Sequence, residues 1–180
     1  MKITTRLQFF TAFFAIILLM ASCKKETSVL DPDGDFVQNS ASDYDARVAQ
    51  AYMGELLKMV KETPGWSPPV AARGFAYTGL ALYEATRPGI EGSHSMAGQL
   101  NELGSLPQVE AGEKYHWEIC ANEALYNIIL NLTPTCSPEN LALLNEIYND
   151  FDADFSSVPS EVYDRSVAYG QAIADAIFEY

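Results

Sequence analysis

Basic residues are scarce in this chain. Eleven Lys and Arg stand against 24 Asp and Glu in 180 residues, a formal net charge of −13 with a pI near 4.4. Without a basic patch to release counterions from phosphates, a nucleic-acid binder is excluded. Two histidines and three cysteines leave little material for a metal centre or a Cys–His catalytic pair. The sequence holds no Walker motif, G-x-S-x-G, H-E-x-x-H or Gly-rich dinucleotide fingerprint. No stretch alternates with the period of a strand, and no internal repeat is visible. What is there is apolar: 48% hydrophobic and 12% aromatic residues are too many for a disordered polymer. The length suits one domain with a core of its own.

The apolar residues are not evenly spread. Lys2 and Arg6 precede a run from Leu7 to Met20, LQFFTAFFAIILLM. That run is short for a membrane span and fits the apolar region of a signal peptide. Met20-Ala21-Ser22-Cys23 follows, small residues before a cysteine, which resembles a bacterial lipobox with Cys23 as the lipidated residue. Lys24-Lys25-Glu26 and the polar stretch behind it resemble lipoproteins of Bacteroidetes-type bacteria. The expected organisation is a signal peptide over 1–22, an acidic flexible tether over 23–41 and a helical domain over 42–180. The location implied is the bacterial cell envelope, held to the membrane through acyl chains on Cys23. Cleavage would remove two basic residues and no acidic one, taking −13 to −15. Asp31, Asp33 and Asp35 sit in the tether, but glycine stands fourth and Ser42 twelfth, which is not a calcium loop.

From Ser42 onward the pattern is all-α, a helical bundle. Ser42 with Asp45 reads as a capping-box variant, and Val48, Tyr52, Leu56 and Met59 share one helix face. Pro64-Gly65 ends that helix, and Ser67-Pro68-Pro69 opens a second over about 68–86. Gly74, Thr78, Ala81 and Ala85 form a small-residue face there. Gly74 and Gly79 imply the close approach of a neighbouring helix, so this helix is expected to be the buried central one. Residues 88–111 form a long irregular stretch, either functional or packed along the surface. A third helix is expected over about 112–132, with Ala121, Leu125, Ile128 and Leu132 on a face. A fourth opens at Ser137-Pro138 and carries Leu141, Leu144, Tyr148 and Phe151. A fifth opens at Pro159-Ser160 with Tyr163, Val167, Gly170, Ala174 and Ile177. Its pattern runs to Tyr180 without a stop signal, which suggests a truncated chain.

Few groups suggest chemistry. Asp150, Asp152, Asp154 and Glu161 occupy positions 1, 3, 5 and 12 of an EF-hand, but Phe155 stands where the turn needs glycine. An acidic helix connection is the expectation. His116 and Cys120 share a helix face with Glu118 beside them, too few groups for a metal. Cys120 and Cys136 pair as a disulfide only if their distance allows it. His94 lies in the long loop with Arg73 and Arg87 as its nearest cations, and reads as a surface histidine. No catalytic, cofactor-binding or metal-binding residue is assigned.

One segment carries a resemblance. Thr63-Pro64-Gly65-Trp66-Ser67-Pro68-Pro69-Val70-Ala71-Ala72-Arg73-Gly74-Phe75-Ala76-Tyr77, continuing through TGLALYEA to Ala85, resembles the N-terminal helical part of the vanadium-dependent haloperoxidases. Their bacterial relatives in the type 2 phosphatidic acid phosphatase (PAP2) superfamily are similar there. Met96-Ala97-Gly98-Gln99-Leu100-Asn101, Tyr115-His116-Trp117 and the stretch from Gly170 to Ile177 agree in order. The resemblance implies a mostly helical protein. Its active form binds vanadate and oxidises halide with peroxide, or hydrolyses a phosphate ester. In that family a lysine, arginines, a Ser-Gly-His segment and a coordinating histidine hold the anion, all in the C-terminal half. None of those motifs occurs here, and Arg73 reads as scaffold. The expectation is therefore an inactive N-terminal portion lacking the catalytic half, whose partner is that half or a second copy through an exposed apolar patch. The rival is a stand-alone helical surface lipoprotein binding a glycan or other ligand, with Trp66, Trp117 and tyrosines as stacking platforms.

Overall fold

A computed structural model describes residues 36–180. Cys23, the apolar run before it and the three aspartates of the tether lie outside the described residues. Five α-helices follow in order: α1 (Arg47–Glu62), α2 (Pro68–Thr86), α3 (Trp117–Leu132), α4 (Pro138–Asp154) and α5 (Ser160–Glu179). Short 3-10 turns at Ala41–Asp43 and Arg87–Gly89 flank them. The all-α expectation holds. None of the described helices is long and apolar enough to cross a membrane.

The start of α1 differs from the capping box expected at Ser42. Ser42 lies in the first 3-10 turn, where Ser40 caps it, and Asp45 Oδ1 accepts from the Arg47 amide at 2.8 Å. The face read from spacing is the buried one: Val48, Tyr52, Leu56 and Met59 all lie in the core. In α2 the face of Gly74, Thr78, Ala81 and Ala85 is likewise buried.

The central helix, however, is α3 and not α2. It packs against all four others and buries ten of its residues, from Trp117 to Ile129. The first turns of α2 are exposed, with Val70 at 47%. Gly74 meets the Trp66 indole, 2.5 Å from where a Cβ would stand, and Gly79 meets nothing within 4 Å. The close helix approach occurs instead at Gly170 of α5, against the Cys120 carbonyl and the Glu123 Cβ of α3.

α3 begins at Trp117, five residues later than its apolar pattern suggested. The amides before it have other partners. Tyr115 N donates to Gln38 Oε1 at 2.9 Å and His116 N to Ser166 Oγ at 2.9 Å, which holds the chain extended there. Three apolar positions also differ: Leu141 is exposed, and in α5 Tyr163 and Val167 are half-buried while Val162, Ser166 and Tyr169 are buried.

The irregular stretch after α2 is packed rather than free. Leu103 and Leu106 enter the core. The fully buried Glu84 carboxylate accepts from Met96 N at 2.6 Å, Ser95 Oγ at 3.0 Å and Arg87 Nε at 3.2 Å. The end of the segment read as a tether is also packed. Phe36 is buried with Ile119, Phe155, Val158 and Val162 in a second small core.

Candidate functional site

Residues 36–44 form a strap across the N-terminal end of α3. Lys114 Nζ donates to Phe36 O at 2.7 Å, Trp117 Nε1 to Asn39 O at 3.1 Å and Ser40 Oγ to Gly89 O at 2.9 Å. Under the strap His116 is 3% exposed, ringed by Phe36, Tyr44 and Phe155 at 6.1, 5.1 and 5.3 Å between centroids. Its Nδ1 has no hydrogen-bond partner. Burial first, then the Arg47 charge, lowers the His116 pKa to about 4.

His116, Glu118 and Cys120 do not converge. Glu118 turns to Arg47, whose Nε lies 3.1 Å from Oε1, while Arg47 NH1 reaches Asp154 Oδ2 at 2.6 Å. This triad joins α1, α3 and α4, and with Arg47 and Asp154 exposed it is worth about 0–1 kcal/mol per pair. Cys120 is fully buried, and burial pushes its thiol pKa well up despite a hydrogen bond with Ser166. Cys120 and Cys136 are both free. Leu132 lies twelve steps beyond Cys120, about 18 Å along α3, so the far end of the helix holds Cys136 away.

The acidic connection is not a calcium loop. Asp150, Asp152 and Asp154 lie within α4 itself, so successive carboxylates project around a helix. Asp152 accepts from Tyr163 Oη at 2.6 Å, and that bond first, with burial, pushes the Tyr163 pKa up to about 12. No group of three His, Cys, Asp or Glu among the described residues could hold a metal ion. His94 is exposed, and its carbonyl accepts from Tyr83 Oη at 2.6 Å.

Sequence reading missed a polar seam between α3 and α4. Glu123, 5% exposed, accepts from Tyr148 Oη at 2.5 Å and Asn127 Nδ2 at 3.1 Å. Tyr52 Oη donates to Asn122 Oδ1 at 2.7 Å beside it. Burial raises the Glu123 pKa, against the lowering by its two donors. The one available signal was a glutamate placed within an apolar helix.

An oxyanion such as vanadate needs converging cationic donors. Here Arg47, Arg87 and Arg165 each contact a carboxylate, and Arg73 stacks on Tyr77 at 4.8 Å. The described residues therefore do not fit vanadate. Of the stacking platforms, Trp117 is 2% exposed and Tyr77 stacks on Tyr180 at 5.7 Å, while Trp66 is half-buried against Gly74. A crevice of about 100 Å³ lies between Tyr44, Val48, Leu82, Trp117 and Ala121.

No protein-family model matches the chain, and no curated protein matches it. Among solved structures, the crystal structure described as the first bacterial vanadium-dependent iodoperoxidase matches with a TM-score of 0.61 at 25% sequence identity. The bundle resembles part of a vanadium haloperoxidase. The match covers 74% of this chain and 31% of that one, so the chain spans about a third of the iodoperoxidase's length. What is similar to the haloperoxidase is the helical framework. Within it Arg87 holds Glu84 and Arg73 rests on an aromatic ring, both structural contacts.

Proposed function

We propose that this chain is the helical scaffold portion of a haloperoxidase-like or PAP2-phosphatase-like lipoprotein. The observation that carries the reading is the match over most of this chain but 31% of the iodoperoxidase. Alone it is inactive, because an anion-binding set of cations is not assembled among its helices. Vanadate and the redox or phosphoryl chemistry belong to a remaining portion. Cys23 is the lipid attachment site, and the product resides in the bacterial cell envelope.

The test is direct. With orthovanadate, hydrogen peroxide and iodide, the full chain should form triiodide no faster than buffer, and the ⁵¹V signal of vanadate should stay sharp. The DNA after the Tyr180 codon should encode a lysine/arginine motif and a Ser-Gly-His. Turnover by the chain alone, or an unrelated gene directly downstream, would overturn the reading.

A further inference from the structure

We propose that the strap of residues 36–44 is an acid-released latch, with His116 as its trigger. The geometry sets this out. His116 lies between the strap, through Phe36 and Tyr44, and the α4–α5 corner, through Phe155. A buried, unpartnered Nδ1 takes up a proton only if water or an acceptor reaches it, and the strap is what covers it.

The charged and titratable neighbours give an imidazolium no partner. Arg47 of α1 repels it. Glu118 of α3 and Asp154 of α4 both bond Arg47, and Asp43 of the strap, which acts on the Tyr44 phenol, is itself engaged. Cys120 is kept neutral by burial; from α5 the Ser166 hydroxyl bonds the His116 amide and Arg165, a further cation, bonds Lys114 O. Lys114, before α3, adds a third cation at Phe36 O. Burial also pushes the Tyr44 phenol up to about 12, so no phenolate forms there. Three tilted rings offer some cation–π attraction, which does not replace lost hydration and faces these cations. Opening the strap hydrates the ring at the loss of Phe36 burial and the bonds to Lys114, Tyr115 and Trp117. The helices need not separate, because Phe36 belongs to the small second core and the strap adds to the main core only the partly buried Ala41 and Tyr44.

Release has a consequence that rests on Cys23 being the anchor. Nine further residues would join the tether, up to about 30 Å of added reach between membrane and bundle. The latch itself does not depend on the anchor or on the haloperoxidase reading.

The test uses the full chain in detergent micelles, followed by ¹⁵N–¹H correlation spectra from pH 7 to 3.5. Trp66→Phe tells the two indole signals apart. The Trp117 indole and Tyr115 amide should move to solvent-exposed positions as pH falls from the ordinary histidine value of about 6.5 toward about 4. Circular dichroism at 222 nm should stay within about a tenth of its neutral value. Phe36→Ala should shift the transition to higher pH, and His116→Phe should abolish it. Unmoved signals, movement only together with loss of helix, or an unchanged transition in His116→Phe would overturn the latch. Should His116→Phe not fold, a Phe36→Ala transition at the wild-type pH overturns it equally.

Discussion

Gly170 of α5 lies so close to Cys120 of α3 that a Cβ on it would stand 2.6 Å from the Cys120 carbonyl oxygen. The same Cβ would meet the Glu123 Cβ at 2.8 Å. Both obstacles belong to the most buried helix and neither can swing aside. This contact, rather than the small-residue face of α2, sets the spacing of the central helix pair.

Gly170→Ala should therefore destabilise the chain by about 1–3 kcal/mol, the usual cost of overpacking, despite alanine's better helix propensity. Gly79→Ala, which meets nothing within 4 Å, should stabilise by up to about 1 kcal/mol. Urea denaturation of both variants checks the pair. Equal effects of the same sign would show that the close approach does not govern packing.

Glu123 makes stability depend on pH with a definite sign. Its folded pKa is raised, so its contribution is fully present below the unfolded value and is lost as pH rises through the folded value. Glu123→Gln should gain on the wild type as pH rises through that range, and the difference should shrink in acid. Tyr148→Phe should cost about 1–3 kcal/mol at neutral pH, since it leaves a buried carboxylate oxygen without its 2.5 Å donor. Urea midpoints at pH 4 and pH 8 measure both.

Glu84 anchors the irregular stretch after α2. Glu84→Ala should cost about 3–5 kcal/mol, because it strands the largely buried Arg87 and frees the Met96 amide. Hydrogen exchange should accelerate most over residues 93–103. Uniform acceleration through α3 instead would assign Glu84 to the core and not to the loop.

Cys23→Ser should abolish incorporation of labelled palmitate and shift the product from the membrane to the soluble fraction. Retained label would place the acyl chain elsewhere.

The buried faces of α1 and α2 were legible in the sequence because helical spacing is a local property. Val48, Tyr52, Leu56 and Met59 needed only one another's positions to be recognised. The segment from Thr63 to Ala85 also pointed to the haloperoxidase framework that the fold match supports. Spacing failed where a backbone amide had a distant partner. Tyr115 and His116 fit a helical pattern, but Gln38 and Ser166 hold their amides, so α3 starts late.

The sequence by itself determined an all-α chain, its short helix-ending turns and an acidic composition poor in free cations. Only the tertiary structure decided that α3 is the centre and that Gly170 sets the helix contact. It also brought Tyr148 to Glu123 from 25 positions away and laid the strap over His116. Periodicity tells which face of a helix is apolar. Where two such faces cross, and which polar atoms meet there, depends on packing between segments remote in the chain.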